Sequence, residues 1–149
     1  MSDNLSLKAF VVLMKASKSL QEVIKDDISC HGMRTSDFEI LEALYHKGRL
    51  TVREVSEAVL INTGSITYVI DKLEKKGLIE RSHCKDDRRV VYIHITDEGK
   101  KLMDDIFPKH QQVIESFFQD VSDEETKVLI NVLKRVGHRA TEVKADDKP

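Results

Sequence analysis

Apolar positions along the chain recur first at helical spacing, then in alternation, then at helical spacing again. From Leu5 to about Ile28, an apolar stripe of Leu7, Phe10, Val11, Met14, Leu20, Val23, Ile24 and Ile28 predicts a long helix, with Lys8, Lys15, Lys18 and Glu22 on its other faces. Gly32 interrupts it, and Cys30 to Arg34 reads as a connector. Thr35 or Ser36 then offers an N-cap for a second helix with Phe38, Ile40, Leu41, Leu44 and Tyr45 inward, ending at Lys47-Gly48. Thr51 to Val59 predicts a short helix with Val52, Val55 and Val59 inward. Ile66, Ile70 and Leu73 mark the buried face of the next, which Gly77 stops by taking the left-handed conformation that glycine adopts most readily. The turn between these two helices falls near Leu60-Ile61-Asn62, so together they form a helix-turn-helix candidate.

Past Gly77 the period shortens to two. Leu78 to His83 and Val90 to Ile95 are β-prone, and alternation in the second run separates Val91, Ile93 and Ile95 from Val90, Tyr92 and His94. The polar stretch Cys84 to Arg89 joins them into a hairpin, the wing of a winged helix. Thr96 is then a cap for a helix whose first turn holds Asp97 and Glu98. It runs to Phe117 and Phe118, with a bend expected near Phe107 because Pro108 removes a backbone donor. Ser122 and Glu125 form a capping box for a last helix with the stripe Val128, Leu129, Val132, Leu133 and Val136, and residues 141–149 read as a flexible tail. The fold class is mainly α with a small β-hairpin wing. One domain over 1–149 is expected, with the winged helix-turn-helix at 35–96 and flanking helices at 5–33 and 97–140. A winged-helix core of ~60 to 70 residues cannot cover three further amphipathic helices, so these are expected to join two copies as a homodimer.

The face opposite Ile66, Ile70 and Leu73 carries Thr63, Ser65, Thr67, Tyr68 and Lys72, short donors and acceptors suited to base edges and phosphates in a major groove. Asn62 either caps that helix or touches DNA. The formal charge of −2 over 149 residues argues against a generally basic protein. Charge is nevertheless uneven: residues 75–89 carry a net +3, and 97–149 a net −3. Nucleic acid is thereby assigned to the middle of the chain, with Lys85 and Arg88 as phosphate contacts whose binding would weaken with salt. No run approaches the roughly 18 to 20 apolar residues of a membrane span and no signal peptide is evident, so a cytoplasmic location is expected, with Cys30 and Cys84 as free thiols.

Leu73 to Arg81, then Asp87-Arg88-Arg89, then Ile95 to Gly99 resemble, in order and spacing, the signature of MarR-family transcriptional regulators. Ser65 to Val69, Cys84 with Asp87-Arg88-Arg89, and Ile106 to His110 are similar to the quinone- and hydroquinone-responsive repressors of that family. The resemblance implies a dimer joined through its first and last helices. It also implies an Asp-x-Arg pair in the wing, Asp87 steadying Arg89 as it reaches a minor groove whose narrowness concentrates negative potential. Two-fold symmetry then sets the reading helices roughly 34 Å apart and predicts a pseudo-palindromic double-stranded operator.

Release by a small-molecule inducer, aromatic, phenolic or electrophilic, is expected, from a cavity where the first, second and fifth helices meet the reading lobe, lined by Phe10, Met14, Met33, Phe38 and Tyr45. The alternative is a thiol switch at Cys84, whose cationic neighbours favour thiolate, or at Cys30. A zinc-responsive regulator is weaker still, because neither a His pair at i, i+4 nor a Cys-x₂-Cys is present; no metal or cofactor is expected. No phosphate-binding glycine loop or nucleophile elbow appears, so an enzyme is not expected.

Overall fold

The helix starts are set by local side-chain caps. In the computed structural model, which describes residues 3–59 and 65–146, the order is α1 (Leu5–Ser29), α2 (Thr35–Lys47), β1 (Leu50–Thr51), α3 (Val52–Ala58), α4 (Ile66–Lys75), β2 (Ile79–His83), β3 (Val91–Ile95), α5 (Asp97–Phe117) and α6 (Asp123–Asp146). Asn4 accepts from the Leu7 amide at the start of α1, and Thr51 and Glu54 satisfy each other's backbone N–H groups at the start of α3. Ser122 and Glu125 do the same for α6. The cap of α2 differs from expectation. Thr35 already lies inside the helix, and Asp37 reaches back to accept from the Arg34 amide at 3.2 Å.

Residues 1–113 and 114–149 form two compact units. The core of the first gathers Phe38, Ile40, Leu41 and Leu44 of α2, Val55 of α3, Val69, Ile70 and Leu73 of α4, and Ile79, Ile93 and Ile95 of the sheet. Ile28 of α1 and Met103 and Ile106 of α5 belong to the same cluster, so the core extends beyond 35–96 on both sides. The sheet has three antiparallel strands in the order β1-β3-β2; the short β1, which alternation did not suggest, pairs Leu50 with Ile93. Ile93 and Ile95 are buried as the alternation requires, while Tyr92 stacks under the Arg49 guanidinium at 4.0 Å and His94 meets Glu80.

The end of α4 and the start of α5 are joined backbone to backbone. Gly77, at φ 75°, lets its own amide bond to Glu74 O and the Leu78 amide to Leu73 O, a Schellman ending. The Thr96 hydroxyl donates to Gly77 O at 2.7 Å and accepts from the Gly99 amide at 3.1 Å, and the Thr96 amide donates to Leu78 O. A Cβ on Gly99 would lie 2.3 Å from that same Leu78 oxygen and 2.6 Å from Ile95 Cγ1, so only glycine fits.

Both of the last helices are continuous elements. Helix α5 continues through Pro108 as one element, since the exposed proline removes a single intrahelical bond from a segment held by Met103, Ile106 and His110 on its buried side. Helix α6 extends to Asp146, past the predicted fraying point at Thr141, with Arg139 paired to Glu142 and Thr141 bonded to Gly137 O. No residue of α6 is buried, and Val128, Ile130 and Val136 are about half exposed or more. On α1, Leu5, Leu7, Phe10 and Val12 are likewise uncovered.

Gly99→Ala should destabilise the protein by at least about 2 kcal/mol through overpacking against backbone. Urea denaturation of the variant checks this; an unchanged midpoint would mean the α4–α5 joint is not tightly packed.

Candidate nucleic-acid interface

Helix α4 begins at Ser65, whose Oγ accepts from the Tyr68 amide at 3.4 Å, so this hydroxyl is spent at least partly as the N-cap. Thr67 and Tyr68 are exposed, the latter at 64 %, with Ile70 and Leu73 turned into the core behind them. Asn62 and Thr63 lie outside the described residues. An exposed tyrosine and threonine on a helix whose other face is anchored is a surface that a groove can accept.

Lys72 is placed otherwise than a groove-facing lysine. Its Nζ lies 2.7 Å from Oδ1 of Asp37, a side chain only 3 % exposed, while Lys72 itself is 25 % exposed. The same Asp37 carboxylate caps α2, so one acid ties the start of α2 to α4. The pattern carried a signal for it: Asp37, Leu41 and Leu44 share one helical stripe, and a lone acid on a buried face needs a buried cation.

Arg81 falls within the net-positive stretch 75–89, yet its guanidinium sits 2.5 Å from Asp71 Oδ1 and 2.5 Å from Glu74 Oε1, both on α4, and its backbone amide donates to Glu74. The carboxylates push the Arg81 pKa up further, Asp71 most strongly. The signal here was alternation, which puts Arg81 on the same side of β2 as the buried Ile79.

Beyond Arg81 the wing narrows to a turn closed by Cys84 N to Val90 O and Val90 N to Asp87 O. Asp87 accepts from both the amide and the guanidinium of Arg89, at 3.0 and 3.1 Å, and that pairing holds the Asp87 carboxyl below its ordinary value. The Arg89 side chain remains 91 % exposed. Lys85 and Arg88 are exposed beside it and line a shallow depression with His83 and the half-buried Cys84. Cys30 is exposed at the end of α1, and both thiols are free.

Of the five residues assigned to an inducer cavity, Phe38 belongs to the core cluster and Met33 and Tyr45 pack against that cluster. Phe10 and Met14 lie exposed on α1, whereas Phe38 is 1 % exposed in the core with its ring 4.5 Å from that of His110. Tyr45 is half-buried, hydrogen-bonded to Asp104, which raises its phenol pKa, and 5.9 Å from the Phe107 ring. Met33 lines a groove of about 500 Å³ with Gln21, Lys25, Ser29, Arg34, Thr35 and Ser36. Buried His110, which shares a stripe with Met103 and Ile106, lies 3.5 Å from Glu42 and 3.9 Å from Asp27. Among the described residues no three His, Cys, Asp or Glu side chains are arranged to hold a metal ion, and no helix is long and apolar enough to cross a membrane.

The MarR family profile matches residues 34–91, the segment from the α2 cap to the first residue of β3. The HTH-type transcriptional regulator MhqR of Bacillus subtilis is 42 % identical over 135 residues, covering 91 % of this chain and 93 % of that one. The chain belongs to the MarR family. Its members are DNA-binding transcription regulators and not enzymes, and the six helices with a three-stranded sheet are the MarR winged-helix fold. Sco3205, a MarR-family regulator from Streptomyces coelicolor solved in complex with DNA, superposes with a TM-score of 0.80 at 21 % identity, covering 92 % of this chain and 88 % of Sco3205. BpsR of Bordetella bronchiseptica, whose DNA binding is regulated by 6-hydroxynicotinic acid, superposes at 0.74 with 23 % identity, over 87 % and 98 % of the two chains.

Lys72→Met should cost about 3 kcal/mol, because Asp37 would stay buried without its cation. Adding Asp37→Asn should restore part of the loss in urea denaturation; equal loss in the single and double variants would argue against the pair.

Proposed function

We propose that this MarR-family chain acts as a homodimeric repressor that reads a pseudo-palindromic operator and leaves it when a small hydroxylated aromatic or quinone-like ligand binds. The observation that carries the reading is the pairing of two features: an exposed hydroxyl-bearing face on α4 with a cationic wing tip, and uncovered apolar faces on α1 and α6. The first suits DNA, and the second suits another copy of the same helices. Ser65, Thr67 and Tyr68 are assigned to the major groove, Arg89, steadied by Asp87, to the minor groove, and Lys85 and Arg88 to phosphates. The likeness to BpsR supports a ligand of aromatic acid or phenol type. Such a ligand lowers DNA affinity only by preferring an arrangement of the two reading lobes that misfits the duplex.

The second reading is a thiol switch, favoured by the place of Cys84 among His83, Lys85 and Arg88 at the wing tip. An electrophile added there would put bulk where the wing meets DNA.

In analytical ultracentrifugation the protein should sediment at twice its 17.1 kDa chain mass, and Leu133→Glu should shift it toward monomer. Arg89→Ala should weaken operator binding about tenfold and lower the slope of log affinity against log salt by about one. Retention of full affinity by Arg89→Ala would remove the wing from the reading. Quinone-induced release that persists in a Cys30→Ser, Cys84→Ser double variant supports the non-covalent ligand; its disappearance supports the thiol switch.

A further inference from the structure

We infer that Arg81 is a positioning residue for DNA reading: it locks the wing to the recognition helix through Asp71 and Glu74, and does not itself contact DNA. The inference rests on the assignment of α4 and the wing to DNA. The wing leaves α4 through Lys76-Gly77-Leu78, and Gly77 sits at positive φ, a conformation with little side-chain support. Ile79 is buried, which fixes the root of β2, and Arg81 is the next residue on the same side. Opposite Arg81 in the ladder is Ile93, which is also the partner of Leu50 in β1. One level further on, Tyr92 lies between Ser82 and Thr51, the last residue of β1, and beyond it His83 and Val91 pair as a two-stranded ribbon.

Arg81 therefore stands near the last three-stranded level of the sheet, where a fixed link to α4 most restricts swinging of the tip. The link is well made for this purpose. One guanidinium forks to two carboxylates a helical turn apart on α4, and the Arg81 amide adds a third bond to Glu74. A planar fork sets an angle between two elements, which the single point charge of a lysine does not. The bland alternative is that Arg81 is a phosphate contact that happens to pair in the absence of DNA.

The two roles make opposite predictions when the acids are removed. Asp71→Asn, Glu74→Gln strips two negative charges from beside the DNA face and releases Arg81. A phosphate-contacting arginine would then bind more tightly. The positioning role predicts instead that affinity for a duplex selected from a random pool by the wild-type protein falls about tenfold, while affinity for a scrambled duplex of equal length holds or rises. Arg81→Lys should show the same loss of discrimination with an unchanged salt slope, since no phosphate contact is removed. Thermal melts of each variant establish that it is folded under the binding conditions, and the acid variant remains testable if Arg81 variants are not. Unchanged or tighter binding of the selected duplex by Asp71→Asn, Glu74→Gln overturns the inference. So does a slope lowered by about one in Arg81→Ala with equal losses on both duplexes. Absence of salt-dependent binding by the wild type would instead remove the DNA assignment itself.

Discussion

The Thr96 hydroxyl donates to the carbonyl of Gly77 and accepts from the amide of Gly99, and the Leu78 carbonyl lies where any side chain on Gly99 would be. These contacts bring the C-terminus of α4 against the N-terminus of α5 with only the Thr96 hydroxyl bridging them. Helix α4, the root of the wing and the start of α5 are thereby made parts of one packed body. Because interiors are close-packed, a shift at one of these elements is felt at the others. The family signature in this sequence has the same physical content: Gly77-Leu78 supplies the helix ending, and Thr96 to Gly99 supplies the cap and the close approach.

Two ion pairs then hold α4 from different sides. Lys72 reaches α2 through a carboxylate that also caps that helix, and Asp71 and Glu74 reach β2 through Arg81. Partly buried pairs of this kind add little net stability over apolar packing, but breaking one leaves a charge without a partner, so they favour one arrangement over near alternatives. For the DNA-reading role proposed for α4, that specificity matters more than added stability. The cations left for phosphate are then fewer than the local charge of +3 suggested, since Arg81 is committed to acids of α4 outside that window.

The two ends of the chain show the complementary situation. Helix α6 is amphipathic and capped at its start, yet buries nothing, and most of α1 presents apolar side chains to the outside. In the proposed dimer these apolar faces become the interior.

Most of the element boundaries were legible in the sequence, because caps and periodicities act over three or four residues: Thr51 with Glu54, Ser122 with Glu125, Gly77 at φ 75°, and the alternation that buries Ile93 and Ile95. The wing and the helix-turn-helix followed from those same short-range rules. What the tertiary structure alone decided was where equivalent side chains point. Phe38 is enclosed and Phe10 is bare although both lie on predicted stripes, and Lys72 meets Asp37, 35 positions away, while Arg89 stays in solvent. Hydrophobic pattern determines that a residue seeks burial, and charge that it seeks an opposite sign. Which neighbour answers depends on packing between elements distant in the chain.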